Sequence, residues 1–246
     1  MIRRVYTMEV RVFDNAEQVG KAAAALFASQ VIRKPNSVLG LATGSSPLGC
    51  YAQLVEWYKE GVLDFSQCIS FNLDEYVGLD VNHPESYHSF MNTNLFSHIN
   101  MKATNLPDGN APDMEAEARR YDAAIQAAGG IDMQLLGIGR NGHIGFNEPA
   151  DRYVYGTQIV NLTESTIDAN KRFFDSIDQV PRKAISLGIG GIMNAREVVL
   201  IAMGKDKAQA IYDTVRGDMT PHVQASILRS HPHATILVDK DAASLL

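Results

Sequence analysis

Three short stretches of this chain place titratable or hydroxyl-bearing residues directly behind apolar runs. The stretch LGIGRNGHIGFNEP, residues 136–149, is rich in glycine and carries Asn141, His143 and Glu148. His143 and Glu148 are five positions apart and meet if the loop curls back on itself. A carboxylate accepting from one imidazole nitrogen fixes the tautomer and raises the basicity of the other, which would make His143 a proton shuttle near neutral pH. In SFNLDEYVGL, residues 70–79, Asp74 and Glu75 follow a buried run, and a partly desolvated carboxylate there acquires a pKa suited to proton abstraction. In LGLATGSSPLGCY, residues 39–51, Thr43, Gly44, Ser45 and Ser46 precede a helical pattern, and glycine, hydroxyls and a helix N-terminus together cradle an anion such as phosphate.

Each feature also has a purely structural reading. Ser46 could cap the helix with Pro47 in its first position, Asp74 could cap a turn, and His143 could be a satisfied loop residue. Arg172 and Lys207 could pair with a phosphate or simply be solvated charges. No GxxxxGK[ST] or GxGxxG motif is present, so nucleotide binding is not implied. Of the seven histidines only His231 and His233 are closely spaced, without an HExxH motif or a cysteine cluster, so a metal-free site is expected.

The elements that must position these loops follow from hydrophobic patterning. Short apolar runs at residues 38–42, 69–73, 133–137, 184–189, 198–203 and 235–238, with 5–12, predict about seven strands. Helical patterns at 16–31, 48–59, 86–96, 114–128 and 206–215 alternate with them. Strands apolar on both faces and alternating with helices predict an α/β fold, a single doubly wound, mostly parallel sheet with helices on both faces. No linker, repeat or low-complexity tract interrupts the order, so residues 1–246 read as one domain. In such sheets ligands bind beyond the carboxyl ends of the strands, where the three loops fall. The polar segment 161–182 is longer than an ordinary connection and reads as a helical lid or, equally, as a surface helix packed on the sheet.

A formal net charge of −6 and a pI near 5.6 give no electrostatic footprint for nucleic acid or an anionic membrane. No apolar run approaches the roughly 20 residues needed to span a bilayer. Cys50 and Cys68 lack CxxC spacing, and no secretory leader is evident, so a reducing cytoplasm is the expected location.

Taken together, TGSSP (43–47), NLDEYVGL (72–79), HPESYHSFM (83–91), NGHIGFNEP (141–149), KRFFD (171–175) and GKDK (204–207) resemble, in order and spacing, the amino-sugar isomerase-deaminase family, the glucosamine-6-phosphate deaminases. The match covers most of the chain. The related 6-phosphogluconolactonases share the fold and a glycine-histidine loop but not the FNEP continuation. The resemblance implies a Rossmann-like fold and conversion of glucosamine 6-phosphate and water to fructose 6-phosphate and ammonia, with neither metal nor organic cofactor. It makes His143, oriented by Glu148, the candidate for ring opening and Asp74 the base at carbon 2. It assigns the phosphate to Thr43–Ser46, Arg172 and Lys207, and includes Glu75 among the substrate-binding residues.

Two departures matter. Some members have aspartate where this chain has Asn141, which would supply only a neutral hydrogen bond. The chain ends soon after the run 235–238, whereas hexameric members activated by N-acetylglucosamine 6-phosphate carry a C-terminal extension, so a monomer or small homo-oligomer is expected. The rivals are a lactonase, which needs no base at carbon 2, and a sugar-phosphate sensor, which would normally carry a DNA-binding helix-turn-helix.

Overall fold

The computed structural model describes residues 8–246. Strand and helix alternate from the first described element: β1 (Glu9–Phe13), α1 (Ala16–Arg33), β2 (Val38–Leu41), α2 (Leu48–Lys59), β3 (Ile69–Asn72), β4 (Asp74–Tyr76), α3 (Tyr87–Asn94), β5 (Ala103–Asn105), α4 (Met114–Ala127) and β6 (Met133–Leu136). The chain continues through β7 (Gln158–Asn161), α5 (Glu164–Asn170), β8 (Lys183–Ser186), α6 (Ile189–Met193), β9 (Glu197–Ala202), α7 (Ala208–Val215) and β10 (Ala234–Asp239). The caps explain several helix starts: Asn15, Ser86, Asp113 and Thr163 each accept a backbone N–H from the first turn that follows.

Seven strands form one parallel sheet in the order β1-β10-β9-β6-β2-β3-β5. Successive side chains alternate between two cores. In β9, Val199 and Ile201 join Leu39, Leu41, Met133 and Leu135 under α1 and α2, while Val198 and Leu200 join Val38 and Leu136 on the face covered by α4, α6 and α7. Burial on both faces is why these strands read as continuous apolar runs. This is the expected doubly wound α/β fold.

The sheet has one member other than expected. The run 184–189 does not enter it: β8 pairs antiparallel with β4 and β7 in a separate three-stranded sheet, and the chain turns into α6 at Ile189. An apolar run records burial, and Ala184 and Ile185 are fully buried, but it does not record which strand lies alongside. The seventh place belongs to β5, a short edge strand without an apolar run. Of the strand expected at 5–12, the structure contains Glu9 onward, and residues 5–7 lie outside the described residues. The start of the helix expected at 206–215 is a 3-10 turn, Lys205–Lys207, leading into α7.

The segment 161–182 folds as α5 and the 3-10 turns Lys171–Phe173 and Ile177–Gln179. Leu162, Ile167 and Val180 are buried with Tyr76, Phe146 and Ala184 in a third apolar cluster over the small sheet, and Phe174 packs against it. The segment is thus anchored over the small sheet by these side chains.

Candidate active site

The path of the chain reverses between β2 and β6: from β2 it proceeds through β3 to β5, and from β6 through β9 to β10. A crevice at such a switch point, beyond the carboxyl ends of the strands, is where an open α/β sheet binds ligands. A cavity of about 420 Å³ lies there. The loops after β2, β3, β6 and β9 all reach it, as does the segment after β7.

The loop after β2 lines the cavity with Thr43, Gly44, Ser45 and Ser46. Ser46 does not cap α2. Pro47 occupies the cap position and no side chain accepts from the first turn.

Asp74 opens β4 and lines the same cavity at 5% exposure. Burial, aided by the neighbouring charge of Glu75, raises its pKa to about 8. Among the described residues no side-chain or backbone donor bonds its carboxylate, so nothing compensates that desolvation. Gly145 lies beside it in the left-handed region, with φ at +57°, and a side-chain carbon there would crowd Ser186 Oγ at 3.1 Å.

Glu75 is the one expected substrate contact that the structure removes from the cavity. Alternation along β4 turns it the other way, where Oε1 accepts from Tyr76 N and Tyr87 N and Oε2 from His88 N. Its carboxylate clamps the first turn of α3 to β4. It sets the position of Tyr87, which lines the cavity and stacks on Phe146 at 6.0 Å.

The loop after β6 brings His143 and Glu148 together. His143 Nδ1 lies 3.1 Å from Glu148 Oε2, and Asn141 Nδ2 donates to the same oxygen at 2.7 Å. Thr166 of α5 donates to Oε1 at 2.5 Å. Burial pushes the Glu148 pKa up, but the His143, Thr166 and Asn141 interactions outweigh it and bring the pKa down to about 2. An ionised Glu148 can only accept, so the hydrogen shared with His143 sits on Nδ1 and Nε2 is left as the basic atom. Gly139 gives the imidazole its room, since a side-chain carbon there would lie 2.5 Å from Nε2. Behind the loop, Gln224 Nε2 donates to Glu148 O and Ala225 N to Gly142 O, fixing its curl. Asn147 is structural, its Nδ2 donating to Ile144 O and Leu187 O.

Arg172 and Lys207 both line the cavity. The Lys207 pKa is held below its usual value, mainly by burial and further by the charges of Arg140 and Arg172, against the opposing pull of Asp206. Sequence reasoning missed Tyr87, Arg140, Thr166, Asn170 and Asp206 as cavity residues. Tyr87 sat within a quoted motif, HPESYHSFM, but nothing in its spacing showed which way the ring would point. Among the described residues, no group of three or more His, Cys, Asp or Glu side chains could hold a metal ion.

A carboxyl raised well above its usual range, an oriented imidazole and a set of cations around one cavity can abstract a carbon-bound proton, shuttle a second proton between oxygens and hold a phosphate. Residues 14–238 match the family model for glucosamine-6-phosphate isomerases and 6-phosphogluconolactonases. The chain belongs to this family. Within the isomerase and lactonase family it is 55% identical to the glucosamine-6-phosphate deaminase of Thermoanaerobacter pseudethanolicus, over 97% of this chain and 95% of that one. It is 54% identical to that of Halothermothrix orenii, over 97% and 100% of the two chains. A solved structure of a monomeric glucosamine-6-phosphate deaminase, described as a missing link of the NagB superfamily, superposes with a TM-score of 0.95 at 44% identity, covering 97% of this chain and all of that one. The 6-phosphogluconolactonase of Trypanosoma cruzi, at 18% identity and a TM-score of 0.78, shares the fold.

Proposed function

We propose that this chain is a glucosamine-6-phosphate deaminase of amino-sugar metabolism, converting glucosamine 6-phosphate and water to fructose 6-phosphate and ammonia. The observation that carries the reading is that Asp74, a buried carboxyl with a pKa raised to about 8, shares its cavity with an imidazole whose free nitrogen is fixed by Glu148. Relatives of this name at 50–55% identity over nearly the whole chain support it.

The residues divide the reaction between them. His143 Nε2 takes the proton of the anomeric hydroxyl as the ring bond breaks and delivers it to the ring oxygen, leaving an aldehyde at carbon 1. Asp74, ionised, removes the proton from carbon 2. The aldehyde oxygen takes up a proton, and the resulting enolamine is reprotonated at carbon 1, which gives the imine at carbon 2. Water adds to that carbon and the C–N bond breaks, releasing ammonia. Thr43–Ser46, Arg172 and Lys207 hold the phosphate, and binding energy at that remote group positions carbons 1 and 2 against Asp74 and His143. Asn141 holds Glu148 with a neutral hydrogen bond.

Residues 1–246 act in this reading as one catalytic domain, and the segment 161–182 serves as a lid that closes over the reactive imine. The chain works as a monomer or small homo-oligomer, in keeping with the monomeric relative. It works in the cytoplasm, which suits Cys50 and Cys68, both buried and unpaired.

The test is a parallel assay of the purified protein with glucosamine 6-phosphate and with 6-phosphogluconolactone. Equimolar ammonia and fructose 6-phosphate from the first, with no hydrolysis of the second, is expected. Lactone hydrolysis without ammonia release would overturn the reading.

A further inference from the structure

Arg140 stands three residues before His143, in the same loop, and is among the residues that line the cavity. Its Nε bonds Asp206 Oδ2 at 2.9 Å, and that carboxylate belongs to the 3-10 turn that also carries Lys207. Arg140, Arg172 and Lys207 therefore line one cavity with Asp206 as their only carboxylate partner among the described ion pairs. The three positive charges have one paired carboxylate among them, an excess of positive charge that suits an anionic phosphate monoester. Without an anion the cluster is self-repelling: Arg140 and Arg172 both weaken the hold of Lys207 on its proton.

An Arg–Asp pair with side chains 60% and 46% exposed is screened by solvent and contributes little, so it does not by itself explain a cation held at a cavity wall among two others. A guanidinium bonded through Nε keeps both terminal nitrogens free, and those can present two parallel N–H groups to phosphate oxygens.

We propose that Arg140 is a third phosphate-binding residue, held at the cavity wall by Asp206 until the substrate's phosphate arrives. The inference rests on the reading of the cavity as a sugar-phosphate site. It gives the ring-opening loop a second task, because the backbone that carries His143 then also grips the far end of the substrate, so that phosphate capture and placement of the imidazole are one event.

Fructose 6-phosphate is the probe, because without ammonia the reverse reaction cannot complete and binding is measured free of turnover. Calorimetric titration is run on the wild type and on the R140Q, R140K and D206N variants at low and moderate salt. A charge-assisted contact on a half-exposed side chain is worth about tenfold in affinity. R140Q is expected to bind about tenfold more weakly, with a shallower dependence on salt. R140K should recover most of the loss, and D206N should bind more tightly than the wild type. In the deaminase assay R140Q should raise KM by more than it lowers kcat. R140Q binding as tightly as the wild type would overturn the inference and leave Arg140–Asp206 as a surface pair. A wild type that binds no fructose 6-phosphate would overturn the sugar-phosphate reading itself.

Discussion

Asp74 and Glu75 stand side by side on β4 with their carboxylates on opposite faces, and their surroundings make them different acids. Asp74 meets the cavity without a hydrogen-bond donor, whereas Glu75 accepts from three backbone amides at 2.9 Å each. The contact-free carboxyl can trade its proton, and the clamped one holds α3 in place.

The pH profile should show this. With the Asp74 pKa raised to about 8, kcat/KM should rise with pH and level off above that value. In the complex the substrate's ammonium at carbon 2 favours the ionised form, so the corresponding limb of kcat should lie at lower pH. Initial rates from about pH 5.5 to 9.5 measure both limbs, and a kcat/KM that is flat across that range would count against Asp74 as the base.

Stability should respond as well. Unfolded Asp74 loses its proton near 3.8, but in the folded chain it keeps it up to about 8, so the folded state binds the extra proton between those values. Stability is thus undiminished below the unfolded pKa and is lost progressively as pH rises through that window. D74N removes the penalty, and its Tm advantage over the wild type should grow from about pH 5 to about pH 8.

Glu75, by contrast, is held by backbone amides away from the cavity. E75A leaves the amides of Tyr76, Tyr87 and His88 without their acceptor and should cost about 1–3 kcal/mol of stability, with a raised KM as Tyr87 shifts. Thermal denaturation beside steady-state kinetics distinguishes this from a substrate contact, which would raise KM at unchanged Tm.

For the His143–Glu148 pair, E148Q takes away the acceptor that fixes the Nδ1–H tautomer and should lower kcat about 100-fold or more. H143Q should hurt the ring-closed substrate more than the open-chain form, since its work precedes abstraction at carbon 2. T166V, which removes one donor to Glu148, should fall between the wild type and E148Q. Equal losses on cyclic and open-chain substrate in H143Q would contradict this division of labour.

Much of this architecture could be read in the residues because local rules and global fold agree. The buried runs at β2, β6 and β9 are apolar on both faces, and each is followed by a glycine-containing loop that reaches the cavity. What escaped had no local signature. The run at β8 looks the same whether its partners are parallel or antiparallel, and β5 is a three-residue edge strand. Glu75 and Asp74 differ only in which side of a strand they occupy, a matter of register that a pair of adjacent acids does not reveal. Nothing local marks Arg140, because its partner, Asp206, is 66 residues away in sequence.

The most direct measurement is ammonia release from glucosamine 6-phosphate by D74N beside the wild type at a pH near 8, with fructose 6-phosphate titrated into both proteins. The account predicts a loss of at least about 100-fold in turnover with fructose 6-phosphate binding retained. Turnover by D74N within a few fold of the wild type would show that another group takes the proton from carbon 2.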